Sequence, residues 1–109
     1  MQFYPKGDGV VLDYIRVRRG NHSVGAPLFA NALQAAGIFQ PRFVESSPII
    51  NPTLSKLIQS GASSDFAQAH RFLRIQALAF AKALGATMLC LEIVKNPHGN
   101  WIARTQLSY

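Results

Sequence analysis

The sequence predicts an α+β fold: a single layer of mainly antiparallel sheet, elements in the order β-α-β-α-α-β-β, with helices packed on one face. Three observations carry this. The 109 residues are the length of a single domain, residues 1–109, with room for one core. Period-two segments rich in β-branched and aromatic residues alternate with segments that repeat at helical spacing. The final stretch, residues 87–107, reads as a hairpin in which one register satisfies both faces.

The elements follow in order. Pro5-Lys6-Gly7-Asp8-Gly9 is a dense turn signal, with an extra strand expected at residues 2–4 before it. Residues 10–19 read as a strand. Alternation places Val11, Ile15 and Val17 on one face and Val10, Leu12, Tyr14, Arg16 and Arg18 on the other. The first face is the expected core side, because the second ends in cations. Residues 20–25 form a loop. A helix follows, with Pro27 in its first turn, Gly37 just past its end, and Phe29, Leu33 and Ala36 as its apolar stripe. Pro41 opens an extended piece over residues 42–46. Asn51 and Pro52 fit the N-cap and first position of a short helix that runs through Ser60 and stops at Gly61.

The next helix is the longest. Ser64 is its expected cap, Asp65 sits near its positive end, and Gly85 closes it. Phe66, His70, Leu73, Ala77, Phe80 and Leu84 make one stripe, and the second half is apolar nearly all round, so cover is expected on most sides. In the hairpin, pairing Leu91 with Thr105 and Ile93 with Ala103 sets Leu89, Leu91 and Ile93 on the face of Trp101, Ala103 and Leu107. The same register sets Glu92 opposite Arg104 on the other face.

Composition bounds the function. Hydrophobic residues make up 49% and charged residues 15%, against about 25% charged in an average soluble domain. The deficit points either to a homodimer that hides weakly polar surface or to a surface whose polarity is supplied by Ser, Gln, Asn and Thr. The single Cys90 excludes an internal disulfide, and its apolar surroundings in sequence suggest a buried, reduced thiol. One Cys and the separated His22, His70 and His98 do not assemble a structural zinc site, and no cofactor motif is present. The N-terminus lacks a signal pattern and no apolar run is long enough to span a bilayer, so the expected location is cytoplasmic, without membrane contact. Eleven Lys and Arg against five Asp and Glu give a net charge of +6. Such an excess attracts polyanions, nucleic acid foremost.

The loop from Arg18 to Ala26 is the most suggestive segment for chemistry. Glycines that free backbone amides at a helix N-terminus make a natural anion site. Here Gly20 and Gly25 supply that freedom, Arg16, Arg18 and Arg19 supply charge, and Asn21, His22 and Ser23 supply hydrogen-bonding groups. A strand, an Arg-Gly loop and a helix starting Gly-Ala-Pro-Leu resemble the pyrophosphate-binding segment of GNAT-type acetyltransferases, over about residues 10–37. The resemblance implies acetyl-CoA binding at the loop. It departs from the family where Ser23-Val24-Gly25 stands for Gly-x-Gly and where Arg19 lies one residue further off. A plain strand-to-helix turn is the other reading of the same residues.

Elsewhere the candidates thin out. His70 reads as a satisfied core or interface histidine, and His98 as part of a solvated turn. His22 and Ser23 are sequence neighbours, which rarely have the mutual geometry of a base and a nucleophile. The carboxylates Asp8, Asp13, Glu45, Asp65 and Glu92 are scattered. For nucleic acid, Arg42, Arg71 and Arg74 join the loop arginines, since a guanidinium donates two hydrogen bonds to a phosphate at once; a plain solvated helix face is the other reading of Arg71 and Arg74. Tyr14, Phe39 and Phe43 are the candidate stacking aromatics if exposed, although Phe39 and Phe43 are expected in the core first. The expected function is therefore a small binding module for an anionic partner, without a recognisable catalytic motif. A CoA-using transferase and a protein-interaction or inhibitor module stand as alternatives.

Overall fold

A computed structural model of the chain describes residues 2–14 and 25–109. Its elements are β1 (Gln2–Lys6), β2 (Gly9–Tyr14), α1 (Gly25–Ala35), β3 (Phe43–Glu45), α2 (Pro52–Gln59), α3 (Ser63–Ala83), β4 (Thr87–Lys95) and β5 (Trp101–Ser108). The class is α+β, with one five-stranded sheet in the order β1-β2-β3-β5-β4. Three of its four pairings are antiparallel; β2 and β3 run parallel. That parallel step is the departure from a purely antiparallel layer, and it follows from α1 linking the two strands, because a parallel neighbour needs a crossover.

The expected extra strand is β1, joined to β2 by a tight turn in which Gly7 takes a φ of +58°. Such a φ costs a residue with a Cβ more than it costs glycine. Alternation along each strand puts Val10, Leu12, Val44, Leu91, Ile93, Ala103 and Leu107 on one face, where the helices cover them. Phe29 and Leu33 of α1 pack with Val10, Leu12, Val44 and Ala81, while Leu54 and Ile58 of α2 pack with Leu73, Ala77 and Leu91. Burying Phe29 or Leu33 contributes roughly 1.5–3 kcal/mol each. The Phe29 ring meets Phe80 edge-on at 5.3 Å and Phe3 at 6.2 Å.

The core therefore sits on the Val10–Leu12 side of β2, the reverse of the expected assignment. Val11, on the other side, is also buried, so β2 has two covered faces and its alternation alone does not choose between them. Residues 15–19 of the expected strand lie outside the described residues.

α2 begins where the sequence indicates. Asn51 Oδ1 accepts from the Thr53 and Leu54 amides at 2.9 and 3.2 Å, a cap worth about 1 kcal/mol. α3 differs: Ser64 lies inside the helix, and Ala62 occupies the cap position with no side-chain hydrogen bond. Of the expected stripe Leu73 and Ala77 are buried, and Ala69 and Ala81 join them, because alanine side chains let the helix approach the sheet. Phe66, in the first turn, is exposed.

The hairpin register is as expected: Leu91 opposite Thr105, Ile93 opposite Ala103, Glu92 opposite Arg104. A bulge between Met88 and Cys90 then shifts the pairing. Met88 takes the inward place opposite Leu107, Leu89 is turned out at 63% exposure, and Cys90 is exposed rather than buried. One extra residue in a strand reverses every side chain beyond it, which period-two reading does not foresee. No helix of the described residues is long and apolar enough to cross a membrane.

Candidate anion-binding surface

Of the candidate site residues, Arg16, Arg18, Arg19, Gly20, Asn21, His22 and Ser23 lie outside the described residues. Gly25 is the first residue of α1. Arg42 stands at the amino end of β3, held by its backbone: its N–H donates to Asp8 O and its carbonyl accepts from Leu107 N–H, both at 2.8 Å. Its side chain is exposed. The candidate loop departs after Tyr14, at the far end of the six-residue strand β2, ~20 Å from the level of Asp8 at 3.3 Å per residue. Arg42 is thus separated from the point where that loop leaves the sheet. Tyr109 Oη donates to Pro41 O at 2.9 Å beside it. Burial holds the Tyr109 hydroxyl above its usual pKa, and the Arg42 charge acts in the opposite sense.

Two cations are already engaged. Glu45 is buried on the sheet face away from the helices, where Lys6 Nζ donates to its two oxygens at 3.2 and 3.3 Å and Arg104 Nη1 lies 3.5 Å away. The Arg104 guanidinium also lies over the Phe43 ring, 4.3 Å from its centroid. Phe43 in turn lies flat against Gly9, where any Cβ would collide with it. Phe43 is therefore a packed residue with no free face to offer a base. Phe39, by contrast, is exposed, so its core reading is corrected.

The remaining described cations are free. Arg42, Lys56, Arg71, Arg74, Lys82 and Lys95 are all exposed, and no ion pair among the described residues involves them. Arg71, Arg74 and Lys82 stand at spacings of three, four and four residues along α3 when Leu78 is counted with them. That spacing sets them on one side of the helix, spanning about 17 Å at 1.5 Å per residue. His70 is occupied structurally: its Nε2 lies 2.9 Å from Leu91 O, which as an acceptor requires the Nε2–H tautomer or the imidazolium.

A cluster that the sequence did not bring forward lies at the hairpin end. Trp101 is half-buried, with Lys95 Nζ 5.1 Å from its ring centroid. Both line a concave pocket shared with residues of α2 and of the chain before it. A lone Trp paired across a hairpin with a Lys was the only sequence sign of it.

No protein-family model, no curated protein and no solved structure matches the chain.

Proposed function

We propose that the protein is a binding module for an anionic partner of the nucleic-acid class, acting without catalysis and as a homodimer. The observation that carries the reading is the row Arg71, Arg74 and Lys82 on α3, exposed and free of carboxylates among the described residues. It stands in a chain of net charge +6. A helix with cations along one side meets a run of phosphates without having to read bases, which is how sequence-independent affinity arises. The loop arginines Arg16, Arg18 and Arg19 add to the positive charge of the chain in this reading, and Arg42 adds a separate anchor. Support for the dimer comes from apolar residues turned out on α3, among them Phe72, Ile75 and Leu78.

Salt dependence tests it. Log affinity for single- or double-stranded DNA is expected to fall linearly with log salt. Changing Arg71, Arg74 and Lys82 together to Gln should flatten the slope by about 0.7–0.9 for each phosphate no longer neutralised. An absence of binding even in about 50 mM salt removes the reading.

A further inference from the structure

A cavity of about 500 Å³ opens between the end of α2, the stretch after β3 and the turn end of the β4–β5 hairpin. Ile50, Ile58, Gln59, Lys95, Asn100 and Trp101 give it its chemistry. We infer that it holds one unpaired nucleotide, with the base stacked on the Trp101 indole and the phosphate beside Lys95. The inference rests on the nucleic-acid reading above and assigns it a site and a preference for single strands.

Each part of the wall selects a part of that ligand. The half-exposed indole, with Ile50 beside it in the wall, offers apolar surface, and every base has a π-face that stacks on an aromatic ring whatever its sequence. The Gln59 and Asn100 side chains are primary amides, with both donors and acceptors for the polar edge of a heteroaromatic ring. Lys95 is the one formal charge among the lining residues, which include no Asp or Glu. A neutral apolar ligand leaves the ammonium and both amides unused, and inorganic phosphate leaves the indole unused. The volume falls within the range of about 300–1,000 Å³ for small-molecule sites. Lys95 now rests against the ring; an arriving base exchanges that exposed cation–π interaction for a charge–charge interaction with its own phosphate.

Trp101 is the only tryptophan in the chain, so its fluorescence reports on this pocket alone. The full chain is titrated at low salt with an oligothymidylate of about eight nucleotides, a length within the usual site size. Trp101 emission is followed together with the anisotropy of the same oligonucleotide carrying fluorescein. Saturable quenching with the anisotropy midpoint is expected. Ile50→Asp places a carboxylate at the rim, at a residue already 86% exposed, so the fold is spared. It should weaken binding about tenfold or more, the scale of losing one stacked base. Lys95→Gln should lower the salt slope by about 0.7. A rise in anisotropy without quenching, or affinities within twofold of the original for both variants, overturns the pocket and leaves the nucleic-acid reading standing. Quenching by thymidine monophosphate that Ile50→Asp abolishes, with no oligonucleotide binding, keeps the pocket and removes that reading. Quenching by neither ligand, with no rise in anisotropy, removes both.

Discussion

Glu45 is 5% exposed and lies between two cations whose side chains are unequally covered, 52% exposed for Lys6 and 36% for Arg104. Exposed ion pairs are screened and contribute little, whereas a carboxylate stripped of its better-covered partner keeps its desolvation cost. Arg104→Met, which removes the better-covered cation and also the guanidinium over Phe43, is therefore expected to lower stability by about 1–3 kcal/mol, and Lys6→Met by less than about 1 kcal/mol, in urea unfolding. Equal losses would mean that Lys6 holds the carboxylate as firmly as Arg104 does. Tyr109 gives the pH counterpart. Its folded pKa is raised by burial, with Arg42 opposing, so the folded state holds the phenolic proton more tightly than the unfolded chain. Its contribution is fully present below the unfolded pKa near 10 and is lost as pH rises through the higher folded value. Unfolding midpoints recorded from pH 8 to 11 should thus decline more steeply in the original protein than in Tyr109→Phe. Parallel declines would assign the alkaline loss to other groups.

At the scale of elements, what the sequence disclosed depended on whether a local pattern had one solution. The β4–β5 register was legible because apolar alternation and the Glu92–Arg104 pair agree on it. Asn51-Pro52 marked the start of α2 because an Asx side chain and a proline at a helix start each have a specific local job. The bulge at Leu89 was not legible, since Met88 and Leu89 serve equally well as inward residues until the strand's end is fixed by α3 and Gly85. The inner face of β2 was not legible either, because Val10 and Val11 are both buried. Parallel pairing of β2 with β3 depends on where α1 leads the chain, which no window of residues contains. The candidate site divides similarly. Arg71 and Arg74 were candidates from the sequence, and Lys82 joins them only once the bounds of α3 fix the spacing; the Trp101 pocket joins residues from about 48 to 101 and exists only once the helices are docked.

At the scale of the whole molecule, charge and apolar surface have to be accommodated together. Charged residues are 15% of the chain, and α3 leaves Phe72, Ile75 and Leu78 outward, Ile75 at 71% exposure. Phe72, Ile75 and Ala79 recur at i, i+3 and i+7, so they form a stripe along the helix. Arg71, Arg74 and Lys82 stand beside that stripe. Pairing α3 with α3 of a second copy through the apolar stripe would cover it and set two cationic rows on one assembly, doubling the charge presented to a long polyanion. Linked sites of this kind raise affinity by making the second engagement intramolecular. Light scattering on the purified chain is accordingly expected to return twice the chain mass. Ile75→Lys, at an exposed position that leaves the core untouched, should return the single mass. The same variant should bind a long single strand more weakly than the original, by about tenfold or more, while binding an oligonucleotide too short to reach both rows equally well. A single mass for the unmodified protein at about 100 μM, near the weak end of specific association, would dispose of the dimer and leave the α3 row to act alone.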